Sequence, residues 1–306
     1  MRIGLTGFGT NPDKVVRQAE RAEADGFTAL WFPGAGGGDP LVNIAIAGRA
    51  TSSIELGTAI LQTYTSHPVL MASRAASVAH AIGTSGRFTL GIGPSHKPVI
   101  ESMLGLDYDT PGQLTDEYVQ VLTTLLAGQP VSFEGDEFTI NTGPPDLPEG
   151  VEVPVLVAAL GPRLLRVAGT YAAGTIPWMA NAQAIESHIA PRLRAAAEDA
   201  GTSAPRIVAG LPIAVHDDVQ EARGVAAEQF AIYGTLPNYQ RILEHGGVSG
   251  PAEAAIVGDE ASVAAQLEGL ISAGATDVWA APFPVGEDAS ASRARTRALL
   301  KELLSA

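Results

Sequence analysis

Ser95, His96 and Lys97 follow one another in the stretch Gly91-Ile92-Gly93-Pro94-Ser95-His96-Lys97-Pro98. A hydroxyl donor, an imidazole that ordinarily titrates near neutrality and a fixed cation thus share one short loop. Such a set can handle a proton for a substrate, or it can be a polar turn facing water. A second stretch, Ala158-Ala159-Leu160-Gly161-Pro162-Arg163, reads as a helix start. Free backbone N–H groups there, with Arg163 behind them, make a ready anion site. The alternative is ordinary proline-initiated capping with a solvated arginine. Thr58 to Pro68 holds a dense set of hydroxyls and His67, which can act on a ligand or simply pack before Pro68. Gly174-Thr175-Ile176-Pro177-Trp178-Met179 offers one large aromatic, either to a ligand or to the core. Phe32-Pro33-Gly34-Ala35-Gly36-Gly37-Gly38-Asp39-Pro40 is either a loose connection or a wall where a flat ring can approach backbone.

Other chemistries are absent. The glycine run lacks the strand-to-helix context and later acidic residue of a nicotinamide-binding fingerprint. There is no Ser-His-Asp order, no HExxH and no Walker loop, and the six histidines lack metal-ligand spacing. No metal site is expected. With no cysteine, disulfides, thiolate sites and a Cys nucleophile are excluded. The formal charge of -14 repels phosphate backbones, so nucleic acid is not an expected partner. The start of the chain lacks a signal-peptide pattern, and no apolar run reaches the roughly 18 residues of a membrane helix. A soluble cytoplasmic protein acting on a small molecule is the expectation.

The elements that must position these residues come from alternating patterns. Short β-branched runs mark strands at Arg2–Thr6, Phe27–Phe32, Ile54–Leu61, Arg87–Ile92, Val153–Ala159, Gly174–Trp178, Ile207–Val215 and Thr276–Ala281. Longer amphipathic segments lie between them, many opened by Pro. Val131 to Ile140 reads as a β-hairpin excursion, and the Pro- and Gly-punctuated residues Tyr233 to Ala255 as an insertion between the seventh helix and the eighth strand. Eight β/α alternations favour an α/β (β/α)8 TIM barrel over an open sheet, with residues 1–306 as one domain. In such a barrel the loops after the strands gather at one end, which is where all five stretches fall.

In chain order, Ile54-Glu55-Leu56-Gly57-Thr58, His67-Pro68, Gly86-Arg87-Phe88-Thr89-Leu90-Gly91-Ile92-Gly93 and Ala159-Leu160-Gly161-Pro162-Arg163 resemble the luciferase-like flavin and deazaflavin oxidoreductases. Ser95-His96-Lys97-Pro98-Val99 and Gly210-Leu211-Pro212 look like the subgroup that depends on coenzyme F420. The resemblance implies a bacterial luciferase-like barrel, a homodimer, and hydride transfer between coenzyme F420 and a small organic substrate. An FMN-dependent monooxygenase of the same family is the alternative. It also implies a cis peptide at Ala59-Ile60, backing the cofactor's central ring. Phe32, Gly93, Pro94, Ser95, His96, Lys97 and Trp178 would line the ring and its surroundings, and Ala159, Leu160, Gly161, Pro162 and Arg163 would hold the phosphate. His96 is then the acid/base, with Ser95 orienting substrate or ring. One departure stands out: many members carry an acidic residue and a His just after the second strand, where this chain has Pro33-Gly34.

Overall fold

The computed structural model describes residues 1–34, 38–83 and 86–304. Pro12, Pro40, Pro68, Pro111 and Pro162 each open a helix in its first turn, where a missing N–H breaks no bond. Asn11 and Asp39 cap two of these helices, accepting from Lys14 N at 3.1 Å and Leu41 N at 2.8 Å. His67 does the same for helix Pro68–Ala81, its Nδ1 accepting from Val69 N at 3.4 Å. The bland reading of His67 is therefore the one its geometry satisfies.

In chain order the strands are β1 (Ile3–Thr6), β2 (Ala29–Phe32), β3 (Glu55–Thr58), β4 (Leu61–Gln62), β5 (Phe88–Gly93), β6 (Val131–Glu134), β7 (Thr139–Thr142), β8 (Val155–Val157), β9 (Gly174–Thr175), β10 (Arg206–Val215), β11 (Ile256–Gly258) and β12 (Asp277–Pro282). Parallel pairing runs β1-β2-β3-β5-β8-β9-β10-β12 and returns to β1, so eight strands close a barrel. β3 and β4 are one strand interrupted by a bulge at the cis peptide Ala59-Ile60, and both halves pair with β5. β6 and β7 form the antiparallel hairpin expected over residues 131–140. The sixth strand is shorter than its pattern suggested, with Trp178 reaching Gly210 of β10 only as an isolated bridge.

Helix Val219–Gln229 follows β10, and the insertion with helices Pro237–His245 and Pro251–Ala254 comes after it and before β12, in the expected order. β11 and helix Glu260–Ser272, which leads directly into β12, are elements that the pattern did not announce. Val263, Leu267 and Leu270, spaced four and three apart, are the buried stripe of that helix.

Two apolar layers result. Ala29, Trp31, Ala59, Leu156, Ile176, Val208 and Trp279 fill the barrel interior, while Leu30, Phe32, Ile44 and Met71 belong to the larger core that includes the helices. Trp31 fits across the interior because Gly4 and Gly57 face it. A Cβ there would lie 2.5 Å and 2.2 Å from its ring. Near the N-terminal ends of the strands a charged group spans the barrel. Arg206 donates to Glu55 at 2.8 Å and to Asp277 at 2.8 Å, and Arg2 bonds the same two carboxylates at 3.0 and 2.7 Å. The opposite end is left for the loops that follow the strands.

Candidate active site

The bulge in the third strand is clamped by backbone contacts that only glycine permits. A Cβ on Gly91 would sit 2.0 Å from the Thr58 carbonyl oxygen, and one on Gly34 would sit 2.3 Å from that of Ile60. Thr58 Oγ1 donates to the Gly91 carbonyl at 2.7 Å and accepts from Gly91 N at 2.8 Å. Ala59 N donates to the Phe32 carbonyl at 2.8 Å, and the Gln62 amide donates to the Gly34 carbonyl at 3.3 Å. The Ile60 side chain lies within 3.5 Å of where a Gly93 Cβ would be, and Ala158 closes on the same glycine. Gly34, Ala59, Ile60, Gly93 and Ala158 therefore adjoin. Gly34 lies in the glycine-rich stretch read from the sequence as a loose connection or a wall for a flat ring, whereas Gln62 carried no such signal. Ala35, Gly36 and Gly37 lie outside the described residues.

Phe32 departs from its expected role. It is 1% exposed and packs in the layer shared with the helices, so its ring faces away from the barrel interior. Only its backbone borders the bulge.

After β5 the chain bends sharply. Ser95 has φ +64, a left-handed conformation uncommon outside glycine, and its carbonyl accepts from Tyr108 Oη at 2.8 Å. The bend delivers His96 beneath two residues of the insertion, with ring centroids 6.2 Å from Tyr233 and 5.6 Å from Tyr239. His96 Nδ1 is buried and makes no hydrogen bond. Burial pushes the imidazole below its ordinary pKa, and the nearby Ser95 carbonyl offsets only part of this. His96 is thus a neutral base at pH 7, not a group poised at half-protonation. Pro94 is half-buried beside it. Lys97, expected to line the surroundings of the ring, instead makes an exposed ion pair with Glu101 at 3.2 Å.

Trp178 stands over the interior, 4.8 Å from Trp279 and 6.0 Å from Tyr233 between ring centroids. Gly210 makes room for both indoles, since a Cβ there would lie 2.3 Å from Trp279 and 2.9 Å from Trp178. Trp279 is fixed in turn by its Nε1, which donates to Thr6 Oγ1 at 2.9 Å. Neither Trp279 nor the tyrosines of the insertion was singled out by sequence. Nothing in local spacing ties them to His96.

The stretch after β8 is partly committed elsewhere. Ala159 is fully buried and its N–H points to Thr175 Oγ1 at 3.4 Å, so it does not offer a free donor. The Leu160 carbonyl accepts from the buried His188 at 2.8 Å, and His188 stacks on His245 at 3.9 Å. Gly161, Pro162 and Arg163 are exposed at the start of helix Pro162–Tyr171. Arg163 Nε reaches Asp116 at 3.4 Å, and its guanidinium also bonds Gln113. Arg166 reaches the same Asp116 oxygen at 3.0 Å. Two guanidinium groups on one carboxylate leave a surplus positive charge beside a helix N-terminus, which suits an anion.

Ala59, His96 and Arg163 follow β3, β5 and β8, three neighbours in the ring, and so share one end of the barrel. Farther along the hydroxyl-rich stretch, Thr63 N donates to the Gly93 carbonyl at 3.0 Å, and Thr63, Tyr64 and His67 border a cavity of about 400 Å³ together with Asp107, Asp109 and Glu137. Those carboxylates disfavour an anionic tail there. The donor set after β5 and β8 fits a flat cofactor with a phosphate: a backbone shelf, a buried imidazole nitrogen without a partner, and surplus positive charge at a helix start.

The chain matches the family model described as luciferase-like monooxygenase over residues 3–277. It is 25% identical over 261 residues to a 5,10-methylenetetrahydromethanopterin reductase of Methanolobus tindarius, covering 84% of this chain and 78% of the relative. Among solved structures, the coenzyme F420-dependent tetrahydromethanopterin reductase of Methanopyrus kandleri superposes with a TM-score of 0.78 at 22% identity, covering 98% of this chain and 97% of the other. A monooxygenase of Streptomyces bottropensis superposes with a TM-score of 0.76 at 21% identity, covering 99% and 98%. At these identities the likeness to the solved structures is one of fold. Among the described residues no helix is long and apolar enough to cross a membrane.

Proposed function

The chain belongs to the luciferase-like monooxygenase family, and from that premise we propose that it is an oxidoreductase moving a hydride between coenzyme F420 and a small organic substrate. The observation that carries this reading is a half-buried His96 with an unpartnered Nδ1, on the loop after the strand that pairs with both halves of the Ala59-Ile60 bulge, with the arginine-backed helix start on the neighbouring strand end. Relatives named for reduction of a tetrahydromethanopterin, and a coenzyme F420-dependent reductase of the same fold, support the choice of cofactor.

When bound, the deazaflavin supplies a two-electron, hydride-transferring centre. Ala59 and Ile60 back its ring, and Gly93 and Pro94 border the edge. Phe32 contributes backbone alone. Gly161, Pro162 and the first turn of their helix face the phosphate, with Ala159 and Leu160 shaping the turn and Arg163 completing it. Trp178 walls the substrate side, Ser95 fixes the bend that presents His96, and Nδ1 of His96 holds the proton that accompanies the hydride. Lys97 contributes only to the local field unless its pair with Glu101 opens. We propose that residues 1–306 act as one domain, in the cytoplasm and as a homodimer.

Arg163→Ala is expected to weaken deazaflavin binding about tenfold, the lower end for a charge-assisted hydrogen bond, because Arg163 is half-exposed and Arg166 remains. Fluorescence titration at two salt concentrations checks this. An unchanged dissociation constant would return Arg163 to capping and pairing with Asp116. The second reading is an FMN-dependent monooxygenase, supported by the monooxygenase of the same fold.

A further inference from the structure

The insertion adds to the mouth of the barrel chain that the eight-stranded ring does not itself require. It brings Phe230 and Tyr233 to within 6.3 and 6.0 Å of Trp178, and Tyr233 to within 4.8 Å of Tyr239, between ring centroids. With Trp279 on the far side of Trp178, these rings form a continuous aromatic wall that ends on His96. Their contacts are tilted or edge-on, the arrangements aromatic pairs prefer.

The wall is also uncharged. Burial holds Tyr233 and Tyr239 in their phenol forms and His96 in its neutral form. The cations near the mouth are committed elsewhere: Lys97 pairs with Glu101, and Arg163 and Arg166 stand with Asp116 at the helix start read above as the phosphate site. Among the described residues the one guanidinium laid over a ring is Arg297 on Phe27, outside this cluster. A charged ligand placed here would lose its hydration without finding a counter-charge. A small aliphatic one would leave most of the wall unfilled. Two buried polar atoms of the wall do lack a partner, Nδ1 of His96 and Nε1 of Trp178.

We propose that the substrate is a neutral aromatic compound carrying a hydroxyl or carbonyl group, with its ring between Trp178 and the tyrosines of the insertion and its oxygen on Nδ1 of His96. The proposal rests on the reading of the site given above and names the substrate class within it. Entry is compatible with the local fold. Tyr233 sits on the short turn Ala231–Gly234, which has no buried residue, whereas Tyr239 is anchored on the buried face of helix Pro237–His245. Tyr233 can swing aside while Tyr239 and Trp178 hold the ring.

The test uses calorimetry on the full chain, with and without deazaflavin, and three probes: 2-naphthalenemethanol, 2-naphthoate and 2-propanol. The alcohol of naphthalene is expected to bind at least about tenfold more tightly than the carboxylate, with no measurable heat from 2-propanol. Trp178→Ala should weaken it about tenfold, and Tyr233→Ala, on the exposed turn, gives the same readout if the tryptophan variant fails to fold. His96→Leu, which removes the hydrogen-bonding nitrogen, should weaken 2-naphthalenemethanol but leave 2-methylnaphthalene, which has no oxygen, unaffected. Equal or tighter binding of the carboxylate, preference for 2-propanol, or no binding of any probe overturns the proposal. Binding of the neutral aromatic by a protein that does not take the deazaflavin would instead overturn the cofactor reading and leave this one standing.

Discussion

Replacing His96 by glutamine is expected to lower turnover by about 10²- to 10⁴-fold, the usual contribution of a positioned acid/base, while the deazaflavin dissociation constant stays nearly unchanged. Glutamine keeps hydrogen-bonding capacity and approximate size but cannot exchange a proton. The buried Nδ1 makes no hydrogen bond in the protein, so the residue's proton-handling capacity is not tied up in structure. The pH dependence follows from burial. The folded-state pKa of His96 lies below its ordinary value of 6.5, so the neutral base persists on acidification past that value. Where His96 accepts a proton from substrate, turnover should hold through pH 6.5 and fall only further into acid. The same shift makes a contribution to stability that is present above pH 6.5 and lost as the folded protein is driven to protonate. His96→Gln should remove this limb from the pH–rate profile. Unchanged turnover with an unchanged profile would take His96 out of the mechanism.

Arg206→Met is expected to destabilise the fold by about 3 kcal/mol, the low end for removing one partner from a buried ion pair. Glu55 and Asp277 are 8% and 3% exposed and would keep the hydroxyls of Thr89 and Thr276 but, as a cation, Arg2 alone, whose side chain is half in solvent. Burial by itself would raise the Asp277 pKa, but hydrogen bonds and charge from Arg206, helped by Thr276 and Arg2, bring it below 3.8. In the unaltered protein this contribution is present above pH 3.8 and lost as the pH falls through the lowered value. In the variant the burial effect dominates, Asp277 gains affinity for a proton, and the deficit should shrink between pH 7 and pH 5. Denaturant unfolding at those two pH values checks both parts. A deficit under about 1 kcal/mol, typical of surface pairs, would mean that the group at this end contributes little.

The barrel was legible because its strands are short β-branched runs and its helices begin at prolines, signals that act over a few residues. The same locality explains what was missed. All four residues of β2 are buried, so alternation has no polar face by which to tell Trp31, which points into the barrel, from Phe32, which points out. Arg163 looked free because its partner Asp116 is 47 residues away, and Lys97 looked free although Glu101 stands one helical turn on. The residues that cover His96 belong to the insertion, whose proline and glycine punctuation announced an excursion but not the barrel end to which it returns. The regular stripe of helix Glu260–Ser272 is masked in the sequence by that punctuation, which runs up to Pro251.

The choice of cofactor is tested most directly by titrating the purified, cofactor-free protein with coenzyme F420 and, separately, with FMN. If the shelf at Ala59-Ile60, His96 and the arginine-backed helix start form a deazaflavin site, coenzyme F420 will bind saturably, weaken with salt, and exceed FMN by at least about tenfold, or 1.4 kcal/mol. Saturable binding of FMN with none of coenzyme F420 would contradict it.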